Sequence, residues 1–412
     1  MKRIIFLIVI SLVLFTSPGR AAILSVCNLC GHTSITAAIE KAAPGDTVLV
    51  KKGIYKEGNI ILNKPLVLIG EGFPVVDGEN DSEIFTISAD NVVIAGFRIQ
   101  NVGTSYTVDR AGINVIRSKG VVIRNNRLIN TFFGVYLQKS SDCIVEGNIM
   151  EGQAVEEMSS GNAIHLWYCK NIEVKNNTVK KHRDGIYLEF VDNSLVENNI
   201  SEGNIRYGLH FMFSNHDDYI GNTFRNNGAG VAVMFSRFIT MDDNLFDHNW
   251  GTTAYGLLLK EIYDGEISNN RFEKNTTAIY GESATRMKIH NNTFNQNGWA
   301  LRLLGSCMDN TITANNFLNN TFDVTTNSIR NYNDYTGNYW NEYTGYDLDK
   351  DGIGDVPHHP VKLFSYVVTR TESSIILLRS LFIDILNFAE KVTPVFTPAT
   401  LVDEKPLMKP VL

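Results

Sequence analysis

Five side chains in the middle of the chain carry donor atoms that suit a soft metal ion: His165, Glu189, His210, Met212 and Met234. They sit in, or directly after, successive short segments of alternating apolar and variable residues, Ala163-Ile-His-Leu166, Gly185-Ile-Tyr-Leu188, Gly208-Leu-His-Phe211 and Gly230-Val-Ala-Val233. Alternation places every second side chain on one face of a strand, so aligning the segments yields two outward columns. One runs Tyr136, His165, Tyr187, His210, Ala232, Leu258, Tyr280, Arg302, and the other Gln138, Trp167, Glu189, Met212, Met234, Lys260, Glu282, Leu304. Imidazole with thioether suits copper, the thioether favouring Cu(I), so one expectation for this face is a transient copper site. The competing one is that methionines and rings only cover the face beneath a loop or the C-terminal tail.

Three other constellations could carry chemistry. Cys27-x-x-Cys30 could hold a soft metal as thiolates, exchange disulfides, or close a small structural disulfide, the ordinary state in an oxidising compartment. Asp347, Asp349, Asp351 and Asp355 alternate around Gly352, as in an oxygen-ligated calcium loop. The helical flanks of an EF-hand are missing and position twelve is His358 instead of Glu, so the segment reads as a structural calcium loop or as an acidic turn that needs no metal. Sugar hydrolysis requires two carboxylates at a defined separation. Asp184 with Glu189 and Asp217 with Asp218 are candidates, but the paired-aspartate, Gly-His-Gly and Arg-x-Lys pattern of galacturonases is absent.

The elements that must position these residues announce themselves by repetition. Pairs ending in Asn recur at Asn126, Asn148, Asn177, Asn199, Asn222, Asn244, Asn270, Asn292, Asn316 and Asn338, at intervals of 22, 29, 22, 23, 22, 26, 22, 24 and 22. A period near 22 accommodates three short strands and their turns, and stacking such units predicts an all-β, right-handed parallel β-helix. Asn suits the corners because it tolerates left-handed backbone and can bond its counterparts in adjacent coils. Residues 44–70 read as less regular first coils, and residues 153–160 as a loop bulging from the long interval. The pattern changes after Pro360, where residues 373–390 have helical spacing with apolar residues on more than one face. The expected organisation is therefore residues 1–22 as a signal peptide, 23–360 as β-helix, and 361–412 as an amphipathic helical tail that caps the solenoid or docks on a partner.

The signal assignment follows from Lys2 and Arg3, an apolar run over residues 4–15 and the small-residue exit Gly19-Arg20-Ala21-Ala22. The protein is thus expected to be exported, with no membrane span after processing, since no later stretch holds the roughly 20 apolar residues a span needs. A lipoprotein attachment at Cys27 is opposed by the bulk of Val26. The formal charge of −7 and the absence of a Lys/Arg-rich block exclude nucleic acid as a partner. Five cysteines are too few for a disulfide scaffold and leave an odd one.

Solenoids of this kind are often exported polysaccharide lyases, hydrolases or epimerases, which is the alternative class of function. The C-terminal quarter is more specific. Gly337-Asn-Tyr-Trp-Asn-Glu-Tyr-Thr-Gly-Tyr-Asp-Leu-Asp-Lys-Asp-Gly-Ile-Gly-Asp-Val-Pro357, Leu363-Phe-Ser-Tyr366, Leu377-Leu-Arg-Ser-Leu-Phe382 and Leu401-Val-Asp-Glu-Lys-Pro-Leu-Met-Lys-Pro410 resemble NosD, the family of periplasmic maturation proteins for nitrous oxide reductase. The resemblance extends to the first coils, from Ala38-Ile39 to Gly70. It implies a non-enzymatic role in building the copper-sulfide centre of that reductase. It also implies an ABC transporter as partner, whose membrane subunit would meet residues 361–412, and a copper chaperone. The resemblance supplies no ligand set, so the His/Met columns rest on the strand alignment alone.

Overall fold

The computed structural model describes residues 21–105, 107–252, 254–328, 330–378, 380–392 and 401–411; the expected signal peptide lies almost wholly outside them. Short strands wind into a right-handed parallel β-helix with three faces. The first sheet has 13 strands from Ile23–Val26 to Thr311–Thr313, the second 13 from Ile54–Tyr55 to Tyr339–Trp340, and the third 12 from Ile60–Leu62 to Phe322–Thr325. Every strand pairs in parallel with its equivalents one coil before and after. The interior is a continuous apolar column, including the ring stack Phe246, Phe272, Phe294, Phe317 and Trp340 with centroids 4.1–5.0 Å apart.

The corner pairs divide their labour. The first member takes positive φ, as at Asn125, Gly147, Asn176 and Asp243, and the second turns inward. Asn199 Oδ1 accepts from both the backbone N–H (2.9 Å) and Nδ2 (3.0 Å) of Asn177, whose Nδ2 also reaches Val145 O (2.8 Å). Each inward Asn so satisfies the coil above it, and loss of one leaves buried donors unmet at roughly 1–3 kcal/mol. One member differs from expectation: the ladder uses Asn315, not Asn316, because Ala314 supplies the left-handed residue at φ 53°. Asn316 instead pins the chain end, accepting from Val411 N (2.8 Å) and donating to Val411 O (2.9 Å).

Both ends of the solenoid are closed. At the first coil, helix α1 (Ile35–Lys41) buries Ile35, Ala38 and Ile39, with Ser34 as its cap and Glu57 accepting from Ile35 N and Thr36 N. At the last coil the expected tail divides in two. Residues 401–411 return to the solenoid, with Tyr339 bridging Leu407 in parallel and Asp403 completely buried. The helical part is a pair, α2 (Leu363–Arg370) and α3 (Leu381–Val392), joined through a 3₁₀ turn at Glu372–Leu377. A single helix over 373–390 does not form. Apolar residues around more than one face cannot all reach one surface from a straight helix; the break lets Ile383 pack with Phe322, Phe364 and Val368.

Candidate functional site

The outer face of the third sheet holds the His and Met residues in the expected register. Tyr136, His165, Tyr187, His210 and Ala232 are partners on five consecutive coils, as are Trp167, Glu189, Met212 and Met234 on four. The first column is outward but not exposed, because aromatic rings pack along it. The His165 ring stacks on Tyr136 at 4.4 Å and meets Tyr187 edge-on at 4.7 Å, and Tyr187 meets His210 at 4.9 Å. Tyr187 thus stands between the two imidazoles. His210, Met212 and Met234 remain contiguous, and Met212 Sδ accepts from the Tyr187 hydroxyl at 3.8 Å. Of the five candidates, the fold brings these three together with Glu189 beside them and sets His165 apart.

A buried charge cluster adjoins the column. Asp184, with no exposed surface, receives both Nε (2.9 Å) and Nη2 (2.5 Å) of Arg206, while Arg183 Nε lies 3.8 Å away. The loop of the long coil, with its 3₁₀ turn at Glu157–Ser159, lies beside it: Arg183 N donates to Gly161 O, and, against the cost of burial, Asp184 raises the affinity of Arg206 for its proton, with a smaller contribution from Glu157. Burial, together with Arg183, pushes His165 down to about 3. Burial also lowers His210 to about 4, Asp184 opposing and the two arginines assisting. Both rings are neutral at neutral pH, and Nε2 of each is buried without a hydrogen-bond partner. Arg206 Nη2 lies 3.4 Å from His210 Nδ1, and a guanidinium can only donate. His210 therefore carries its proton on Nε2. Arg183 and Arg206 had no signal in the spacing of the repeat, since they occupy the variable turn before each third-sheet strand.

The remaining candidates are placed differently. Cys27 and Cys30 form a disulfide, so the thiolate-metal alternative is set aside in this form, both sulfurs being spent on each other. Asp347, Asp349 and Asp351 come together, with one oxygen of each within 4.8 Å of the others. Asp355 does not join them; it accepts from Leu348 N at 2.7 Å. Asp347 caps its own turn through Lys350 N (2.6 Å) and Gly352 N (3.0 Å), the geometry of an acidic turn held by backbone donors. Neither hydrolase-type carboxylate pair is presented: Asp184 is sealed by Arg206, and Asp217 is buried inside the solenoid while its neighbour Asp218 faces out.

The family described as "Periplasmic copper-binding protein (NosD)" matches residues 39–157 and 150–345. A protein of Pseudomonas aeruginosa named "Probable ABC transporter binding protein NosD" is 31% identical over 373 residues, covering 85% of this chain and 86% of the relative. A protein of the same name from Stutzerimonas stutzeri is 28% identical over 370 residues, covering 86% and 85%. The chain belongs to the NosD family. Solved structures show the shared fold alone: an exopolygalacturonase of Yersinia enterocolitica superposes with a TM-score of 0.55 over 78% of each chain at 12% identity. NosD proteins are described as periplasmic, and no helix among the described residues is long and apolar enough to cross a membrane.

The NosD description invites a test of the donor set against copper. Neutral imidazole and thioether sulfur are the donors Cu(I) prefers, and His210, Met212 and Met234 supply both from adjacent coils. Nε2 of His210, though without a hydrogen-bond partner, carries the ring's proton and is not a metal donor in that state. Its proton, fixed there by Arg206, must leave before that nitrogen can coordinate.

Proposed function

We propose that this chain is a non-enzymatic periplasmic accessory protein for assembly of the copper-sulfide centre of nitrous oxide reductase. In this reading copper is cargo, held transiently by His210, Met212 and Met234, and received from a copper chaperone. The ABC transporter meets the protein at the C-terminal helices.

One observation carries the docking half of this reading. Helix α3 turns Ile383 inward and leaves Leu381, Phe382, Ile385 and Phe388 exposed at 72, 63, 59 and 69%. Clustered exposed apolar residues mark an interaction surface, and the relatives are named for transporter binding.

Deleting residues 361–412 would be a poor test, because residues 401–411 close the solenoid. A Phe382→Asp/Phe388→Asp double variant leaves that closure intact. It should fold with an unchanged Tm, fail to co-purify with the transporter, and yield reductase without the optical spectrum of its copper-sulfide centre. Normal co-purification and a normally loaded reductase would overturn the reading.

A further inference from the structure

The first coil is fixed without help from its disulfide. Strand Ile23–Val26 pairs over its whole length with residues 47–50, Ala22 N donates to Asp46 Oδ1 at 2.8 Å, and the Tyr55 hydroxyl donates to Val26 O at 3.2 Å. Val26 has no exposed surface, and α1 closes the interior above it. The Cys27–Cys30 bond follows this anchored strand and spans a sequence separation of only 3. The entropy that a cross-link removes from the unfolded chain grows with the logarithm of the loop it closes, so a bond of this span stands at the weak end of the range.

Its surroundings are open. Both cysteines are half-buried and Asn28 and Gly31 are exposed. Leu29, between the cysteines, is 99% exposed, and a Cβ added at Gly31 would meet no atom within 4 Å. The other three cysteines are the opposite case. Cys143, Cys169 and Cys307 are buried, and burial pushes the thiol pKa of Cys143 up to about 11 and that of Cys169 up to about 12, which leaves them inert. Exposed disulfides are the ones that exchange with thiols. The backbone also prepares this pair to close again after it opens. Cys30 N–H donates to Cys27 O at 3.1 Å, Cys27 N–H donates to His32 O at 3.0 Å, and Val26 bridges His32. None of these bonds involves sulfur, so the turn that sets the two Cα atoms 4.9 Å apart does not depend on the disulfide.

We propose that Cys27-Asn-Leu-Cys30 is a thiol–disulfide exchange site whose substrate is a protein dithiol, with Leu29 as the apolar contact for the partner's surface around its attacking thiol. A thiolate of the partner attacks one sulfur of the pair. The Cys27–Cys30 bond breaks, a mixed disulfide forms, and the displaced sulfur leaves as a thiolate and takes up a proton. The partner's second thiol gives up its proton and attacks the partner's own sulfur in the mixed disulfide, releasing the other cysteine of this chain, which is protonated in turn. Two electrons and two protons pass from the partner, which ends as a disulfide, to Cys27 and Cys30, which end as thiols. An oxidised partner runs the same steps backwards. The site lies on the first coil, at the other end of the solenoid from α3, and requires neither the docking nor the copper reading.

The test mixes the full mature chain with an equimolar amount of reduced thioredoxin at neutral pH, quenches with acid and labels the new thiols with a maleimide for peptide mapping. The expected result is label at Cys27 and Cys30 in at least half of the chains at equilibrium, with slow hydrogen exchange retained over Thr47–Lys51. The structural disulfides of secreted proteins lie below thioredoxin in reduction potential and stay mostly oxidised in such a mixture. A Leu29→Ser chain should be reduced more slowly by thioredoxin, by roughly fivefold, and at an unchanged rate by dithiothreitol. A chain that remains more than half oxidised, or whose exchange over Thr47–Lys51 speeds up on reduction, carries a structural disulfide and overturns the proposal. Equal thioredoxin rates for the Leu29→Ser and unsubstituted chains overturn the contact at Leu29.

Discussion

Asp403 accepts the backbone N–H of Asn338 at 2.9 Å through Oδ2, taking the place that a further asparagine of the ladder would have filled. The same carboxylate accepts Gly337 N at 2.8 Å and Trp340 Nε1 at 2.8 Å, with no exposed surface. A repeat that ends must satisfy its last coil, and a residue more than sixty positions later does so. Asp403→Ala strands the buried donors of Asn338 and Trp340 and the part-buried Gly337 N–H, with an expected loss on the order of 3 kcal/mol at the C-terminal end. Hydrogen exchange should speed up at Gly337 and Asn338 while amides near Asn148 stay protected, because solenoid coils stabilise only their neighbours. Uniformly faster exchange along the chain would contradict an end-capping role.

The corner ladders show how much the sequence discloses. Period-two alternation fixed which residues share a face, so the Tyr136, His165, Tyr187, His210 column is read correctly from strand alignment alone. The misplaced Asn316 shows the weakness of a motif defined by residue type: two asparagines are adjacent there, and the corner is made by Ala314. A second ladder would have resolved it. Asn204, Asn227, Asn249, Asn275, Asn297 and Asn320 bond one another coil to coil, each five residues after a member of the first (199 to 204, 222 to 227, 315 to 320). Asn320 minus five is Asn315. The Asp184–Arg206 pair and the Asp403 cap were not legible, because turns and long-range returns of the chain carry no periodicity.

His182 occupies that second ladder one coil before Asn204, and its backbone N–H donates to Asn204 Oδ1 at 3.1 Å. Burial pushes its pKa from an ordinary 6.5 down to about 4. A depressed histidine favours the fold while neutral, and this benefit is lost as pH falls from about 6.5 through 4, up to roughly 3 kcal/mol. His165 and His210 act in the same direction. Asp323 acts oppositely: burial raises it to about 6, so its protonated form supports the fold and that support fades as pH rises between about 4 and 6. Asp217, which burial also raises well above the usual carboxylate range, acts with Asp323; three histidines outweigh these two acids, and the protein should lose Tm below pH 6.5. His182→Asn extends the ladder with a side chain that cannot charge, so it should raise Tm more at pH 5 than at pH 7.5. Equal shifts at both values would exclude protonation of His182 as the cause.

Asp323→Asn tests one of the opposing groups. Its neutral amide keeps an acceptor for Asn320 and carries no charge to desolvate. The variant should gain stability above pH 6 and little at pH 4, by an amount on the order of 2–3 kcal/mol once the carboxyl would be fully ionised. Urea denaturation at the two pH values measures the difference. A gain confined to low pH would mean that the buried carboxyl is ionised throughout.

The copper reading makes a prediction that separates the two imidazoles. His165 and His210 are two coils apart, about 9.6 Å at a strand spacing of about 4.8 Å, and the ring of Tyr187 fills the interval. One Cu(I) ion with bonds near 2 Å cannot be shared between them while that ring is in place. An anaerobic Cu(I) titration against a chromophoric competitor should therefore show binding abolished in a His210→Ala/Met212→Ala/Met234→Ala variant and unchanged in His165→Ala. Because Met212 and Met234 remain register partners, a chain with His210→Ala alone should retain a weaker site built on the two thioethers. Equal losses from His165→Ala and His210→Ala would require the Tyr187 ring to swing out and join the imidazoles across the column. Indifference to all of these substitutions would remove copper from this face and leave a scaffold that positions its partners.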